Sequence, residues 1–254
     1  MRYALVNSSR KEAEKGLNGI CPVCGETVVS KCGNIKINHW AHKSKQNCDR
    51  WLEKETLWHR QWKNNFPEDW REKILYDNAK NEKHIADICT ADNLVIEFQH
   101  SFIKPEERIS REQFYGNIIW VADGTRLKND YKNFLEGLEK SKSVQNIFIC
   151  SNVQKMIPRM WQDSTAPVFF DFSGLEEIGD PNDPKFYMYC LLPDKLNNQS
   201  IIIWIAKQHF IYNVLNNVLL NYLRELMVGM EKIKAELQNP PIRYVDRSRR
   251  RYRL

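Results

Sequence analysis

Two strand-length runs, Lys83 to Thr90 and Leu94 to Gln99, flank the turn Thr90-Ala-Asp-Asn93, and this hairpin constrains the fold more than any other stretch. Helical and strand patterns alternate around it. Apolar residues recur at helical spacing from Trp51 to Asn64, and Pro67 ends the run. Lys73 to Tyr76 reads as a strand, and Pro105 stands at the first turn of a helix reaching about Tyr115. Asn117 to Ala122 and Gln145 to Cys150 read as strands, with a helix over Asp130 to Lys140 between them. Helix, three strands, helix, strand, helix, strand is the order of an α/β sandwich on a mixed sheet flanked by helices.

The later part of the chain reads as α+β. Val168 to Phe172, Phe186 to Leu192 and Ile201 to Ile205 are strand-like, and one long helix is predicted from Ala206 to Gln238. Its apolar stripe, Ile211, Leu215, Val218, Tyr222, Leu226, Met230, Ile233 and Leu237, is read as a core face. Four segments result: a module at 1–49 rich in Gly, Cys, Lys and Asn, a core at 50–150, the α+β region at 151–242, and a tail at 243–254.

Charge concentrates in that tail. Of the net +6, residues 243–254 supply six arginines against Asp246 alone, which leaves little excess elsewhere. Arg249, Arg250 and Arg251 are candidate contacts to a polyanion such as nucleic acid. No signal-peptide pattern opens the chain, and the most apolar stretch, Phe210 to Leu223, is interrupted by Asn213, Asn216, Asn217 and Asn221. The expectation is a cytoplasmic protein with no membrane partner. Seven cysteines at irregular spacing then read as reduced thiols, some of them metal ligands.

The candidate zinc ligands are Cys21 and Cys24, two residues either side of Pro-Val, with His39 and His42 from His-Trp-Ala-His. Such a set suits a structural, tetrahedral Zn²⁺ with no open position for chemistry. Cys32 and Cys48 lie close by in sequence and compete for a place in it.

A second group is acidic. Glu97 and Gln99 are two apart on one strand and face the same way, while Asp87 lies on the partner strand of the hairpin. Two converging carboxylates make an oxygen-rich seat for Mg²⁺ or Mn²⁺, which polarises a phosphoryl oxygen and acidifies water. Glu55, His59 and Lys63, each four residues from the next, share a helix face: Glu55 offers a third carboxylate, and His59 and Lys63 are candidate nucleic-acid contacts. Arg108, Arg111 and Tyr115 share a face on the next helix, suited to gripping phosphate.

Taken in order, Cys-x2-Cys, His-Trp-Ala-His, Glu55-x3-His59-x3-Lys63, Ala86-Asp87, Ile96-Glu-Phe-Gln-His-Ser101 and Arg111-x3-Tyr115 resemble the competence protein CoiA-like family over roughly residues 1 to 125. The resemblance implies a restriction-endonuclease-like core of the PD-(D/E)XK nuclease type behind a zinc-binding front end. It implies metal ligation by Asp87 and Glu97, an accessory role for Glu55, and Gln99 standing where many such nucleases carry lysine. The expected function is a Mg²⁺- or Mn²⁺-dependent deoxyribonuclease of DNA processing or recombination. The rival expectation is a non-catalytic nucleic-acid-binding or scaffolding protein on the same fold. A homo-oligomer or protein partner through the C-terminal region is left open.

Overall fold

The computed structural model describes residues 1–34, 36–44, 48–51, 54–78, 80–144 and 146–238. The arginine tail and its three candidate contacts lie outside the described residues. The chain forms two compact units, Met1–Asn217 and Val218–Leu254.

In chain order the strands are β1 (Tyr3–Val6), β2 (Ser9–Glu12), β3 (Asn18–Ile20), β4 (Thr27–Lys31) and β5 (His39–His42), then β6 (Arg71–Asp77), β7 (Glu82–Cys89) and β8 (Val95–Gln99). After these come β9 (Ile118–Asp123), β10 (Lys142–Val144), β11 (Ile147–Cys150), β12 (Val168–Asp171), β13 (Tyr187–Leu196) and β14 (Gln199–Ala206). The helices are α1 (Leu57–Asn64), α2 (Pro105–Tyr115), α3 (Asp130–Glu139), α4 (Lys207–Leu215) and, in the second unit, α5 (Leu219–Gln238).

The first five strands form their own antiparallel sheet, ordered β2-β1-β3-β4-β5, over a small core of Ala4, Cys21, Val28 and Trp40. The other nine form one mixed sheet, ordered β10-β11-β14-β13-β12-β9-β8-β7-β6. Here β8, β9 and β12 run parallel and their neighbours antiparallel. The parallel strands are buried at every position, as strands covered on both faces must be. The large core includes Trp120, Phe134, Trp161, Phe170 and Phe172.

Helix α1 seats itself on the sheet with aromatic side chains. Trp58, Trp62 and Phe66 all meet Phe98 of β8, with ring centroids 6.1, 5.5 and 6.4 Å away. The indole N–H groups of Trp58 and Trp62 both donate to the buried Asp171 carboxylate on β12, at 3.1 and 2.9 Å. Lys207 of α4 donates to the same oxygen at 3.0 Å, so one aspartate ties α1 and α4 to the sheet centre.

Three expectations change. The segment boundary at 150 falls inside the nine-stranded sheet, because β12, β13 and β14 continue the strands of 71–150 instead of forming a region of their own. The long C-terminal helix is two helices, since Asn216 ends α4 and Asn217 turns to φ +57°. Within α4 the buried residues are Phe210 and Val214, while Leu215 and Val218 of the predicted stripe are exposed. Helix α1 begins at Leu57, not Trp51, because Thr56 caps it: its side chain accepts the His59 N–H, and the His59 ring accepts the Thr56 N–H.

Candidate active site and metal centre

The N-terminal sheet brings Cys21, Cys24, His42 and Cys48 together, with one ligand atom from each lying within 4.8 Å of the others. The Cys-x2-Cys turn is a tight one. Gly25 takes φ +78°, its N–H donates to the Cys21 carbonyl at 2.9 Å, and the Val23 N–H points at the Cys21 sulfur at 3.4 Å. Cys21 and Cys48 sulfurs are 3.5 Å apart, and Cys24 Sγ is 3.3 Å from His42 Nε2. Sulfurs around a tetrahedral Zn²⁺ with bonds of about 2.3 Å sit about 3.8 Å apart, so a Cys3His set of this size fits a metal such as zinc. Burial and its two cysteine neighbours hold the Cys48 thiol above its ordinary value, a tension that a bound cation relieves by stabilising the thiolate.

His39 is not a member of this group. Along β5, residues three apart face opposite ways, so His42 reaches the cysteines and His39 turns from them. His39 Nδ1 bonds the Ile37 carbonyl at 2.9 Å, and its side chain borders a separate apolar cavity beside Cys32 and Ala41. Of the two competing cysteines, Cys48 completes the set and Cys32 does not.

The acidic cavity lies where β7 and β8 part. Their pairing runs through Cys89–Val95 and Ile88–Ile96 and goes no further. Beyond it, side chains take over the bridging. The Asp87 N–H donates to Glu97 Oε1 at 3.2 Å, and the Phe98 N–H donates to Asp87 Oδ2 at 3.0 Å. The two carboxylates are thereby held side by side.

Helix α1 and its lead-in supply the remaining groups. Lys63 is buried, and its Nζ stands 3.0 Å from Asp87, 3.2 Å from Glu72 and 3.3 Å from Glu55. Burial acts to lower the lysine's pKa, but Asp87, Glu72 and Glu55 outweigh it and raise it. Glu97 is likewise buried, and burial together with Asp87 pushes its carboxyl up to about 8 although Arg111 pulls the other way. Met1 and Trp51 help wall the cavity.

Glu72 was not singled out in the sequence. It lies on β6 between the paired positions Arg71–Ile88 and Lys73–Ala86, with φ +44° in place of an extended value. Burial pushes its carboxyl up, yet Lys63 foremost pulls it down to about 2, from an ordinary 4.5. A carboxylate depressed on folding adds stability that is complete above its unfolded value and is lost as pH falls through its folded one. Glu72→Gln should therefore flatten the acid dependence of unfolding between about pH 4.5 and 2, measured by denaturant titration. Equal slopes in the two proteins would remove Glu72 from the charge network.

The other predicted site residues divide. Gln99 does not line the acidic cavity; it borders another one with His100 and Asp123, and its Nε2 donates to the Ser101 carbonyl at 3.3 Å. His59 is buried, its Nε2 donating to the Phe98 carbonyl at 2.9 Å, which ties α1 to β8. Arg108 is buried against Glu112 at 2.7 Å. Arg111 is buried too, paired with Glu97 at 2.8 Å and Glu107 at 2.5 Å. His59, Lys63, Arg108 and Arg111, expected as contacts to nucleic acid, are thus all buried, since helical spacing shows which residues share a face but not whether that face meets solvent.

A family model described as the N-terminal domain of competence protein CoiA matches residues 6–50. The chain's N-terminal module is similar to that domain. The matched segment contains all four residues of the Cys3His cluster. No curated protein and no solved structure matches the chain. No helix among its described residues is long and apolar enough to cross a membrane.

Proposed function

We propose that this chain is a divalent-metal-dependent nuclease that hydrolyses phosphodiester bonds in DNA, on a restriction-endonuclease-like core and in a competence-related role. The observation that carries the reading is the convergence of Asp87, Glu97, Glu55 and Lys63 in one cavity at the parting of two strands. The order α1-β6-β7-β8-α2-β9 supports the core assignment.

The donor set suits a hard divalent cation. Glu97 is raised by burial and by Asp87 even with Arg111 beside it, so its negative charge is costly in this pocket until a further cation stands by to offset it. Asp87 and Glu97 would hold Mg²⁺ or Mn²⁺, with Glu55 as the accessory carboxylate. When bound, the cation supplies polarisation of a phosphoryl oxygen and acidification of the attacking water. The protein's own groups do the placing. Arg111 fixes Glu97, His59 fixes α1 against β8, and Lys63 brings an ammonium to the acids. That ammonium provides the positive charge expected at position 99, from a helix instead of from the strand.

A second reading, a non-catalytic DNA-binding protein, draws on one observation: Lys63 and Arg111 already neutralise much of the acidic group internally. Incubation with labelled single-stranded, duplex and branched DNA, with and without Mg²⁺ or Mn²⁺, separates the two. Metal-dependent cleavage is expected; binding without cleavage of any substrate favours the second reading. Within the nuclease reading, Lys63→Gln should slow single-turnover cleavage by on the order of a hundredfold. Gln99→Ala should cost less than about tenfold, since its side chain is outside the cavity. The reverse order of effects would return the role to Gln99.

A further inference from the structure

We infer that Glu72 is a positioning residue that couples the Cys/His module to Lys63, so that docking of the module sets the geometry of the acidic cavity. This rests on the nuclease reading only for its kinetic arm. The geometry is specific. Both Glu72 oxygens accept the Arg2 N–H at 3.0 Å, Oε2 also accepts the Tyr3 N–H at 3.3 Å, and Oε1 receives Lys63 at 3.2 Å. One carboxylate therefore joins the backbone leading into β1 to the ammonium that faces Asp87 and Glu55. With its oxygens taken up by these donors, Glu72 holds the lysine and is not itself a metal ligand.

The backbone shows that this placement is forced. A glutamate at φ +44° within a strand is in a region costly to residues with a Cβ, and such strain persists only where the surroundings over-determine it. The surroundings do so from the module side. Arg2 continues to Asn64 of α1 at 2.8 Å and Glu12 at 2.7 Å, and Arg60 of α1 donates to the Asn38 carbonyl at 2.9 Å. Arg10 and Lys83 add hydrogen bonds to the Arg71 and Val23 carbonyls, one in each direction across the contact. The module thus forms part of the cavity wall.

The test is a double-mutant cycle on the full chain with wild type, Glu72→Gln, Lys63→Gln and the double variant. Glu72→Gln keeps an acceptor for the amides but loses the charge that steadies Lys63. It is expected to slow single-turnover cleavage roughly tenfold to a hundredfold, the scale of a small misplacement, with DNA affinity in Ca²⁺ unchanged. In the Lys63→Gln background the same substitution should cost little, because the group it acts through is gone. Fully additive losses would overturn the inference. Glu72→Asn guards against a folding defect: asparagine tolerates positive φ but is too short to hold Lys63, and should reproduce the kinetic loss in a folded protein. A second arm does not need activity. Lys63→Gln should speed hydrogen exchange at the Arg2 and Tyr3 amides, and unchanged exchange would break the proposed link even in a protein that cuts nothing. If Lys63→Gln does speed exchange while wild type cleaves no substrate, the link holds and the nuclease reading fails.

Discussion

Substituting Cys48 with serine should empty the metal site, whereas substituting His39 with alanine should leave it filled. The basis is geometric: Cys48 Sγ lies 3.5 Å from Cys21 Sγ, while His39 faces away along β5 and bonds the Ile37 carbonyl. Freshly purified wild type and His39→Ala should each carry about one zinc per chain by elemental analysis, and Cys48→Ser and His42→Ala far less. The energetic effect is large, because binding at a structural site of this kind is worth on the order of 10 kcal/mol and is coupled to folding. The module has a core of only a few residues, and loss of metal should abolish its protection in hydrogen exchange. Zinc lost from His39→Ala but retained in Cys48→Ser would restore the ligand set expected from spacing alone.

The second large effect concerns the acidic pair. Asp87→Asn and Glu97→Gln should each reduce metal-dependent DNA cleavage to background while unfolding stays cooperative. The amide replacements are chosen because both side chains bridge β7 and β8 where the ladder ends, Asp87 accepting the Phe98 N–H and Glu97 the Asp87 N–H. Alanine would remove those bridges and confuse loss of chemistry with loosening of the hairpin; the amides keep an acceptor and lose only the charge. DNA binding in Ca²⁺ should persist in both. Cleavage at wild-type rates in either variant would sink the assignment of that carboxylate.

The hairpin, the adjacency of Asp87 and Glu97, and helix α2 opening at Pro105 follow from patterns that are local in sequence, and α2 spans Pro105–Tyr115 as read. The choice between His39 and Cys48 turned on a rule equally local, strand alternation, but β5 has only four residues and little apolar pattern to announce it. Glu72 was illegible for a different reason. Its importance comes from a positive φ and from contacts with Arg2 and Tyr3 some seventy residues earlier, and nothing in Arg71-Glu72-Lys73 distinguishes it from a solvated charge run. The burial of Arg108 and Arg111 was not legible because helical spacing shows a shared face and not its neighbour; the pairing of Arg111 with Glu97 came into view only with the packing.

The parallel pairing of β9 with β12, Trp120 to Val168 through Asp123 to Asp171, has a consequence for how the protein can be made. All the carboxylates of the acidic cavity have left the ribosome long before β12 does, yet until then β9 is an open edge of buried apolar residues. Asp171, the shared acceptor of Trp58 and Trp62, arrives on that same late strand, so α1 cannot be fully seated earlier. A nascent chain ending near Cys150 would expose a sticky, half-covered sheet and recruit chaperones or aggregate. The site is written early in the gene, but its assembly waits on residues encoded well downstream.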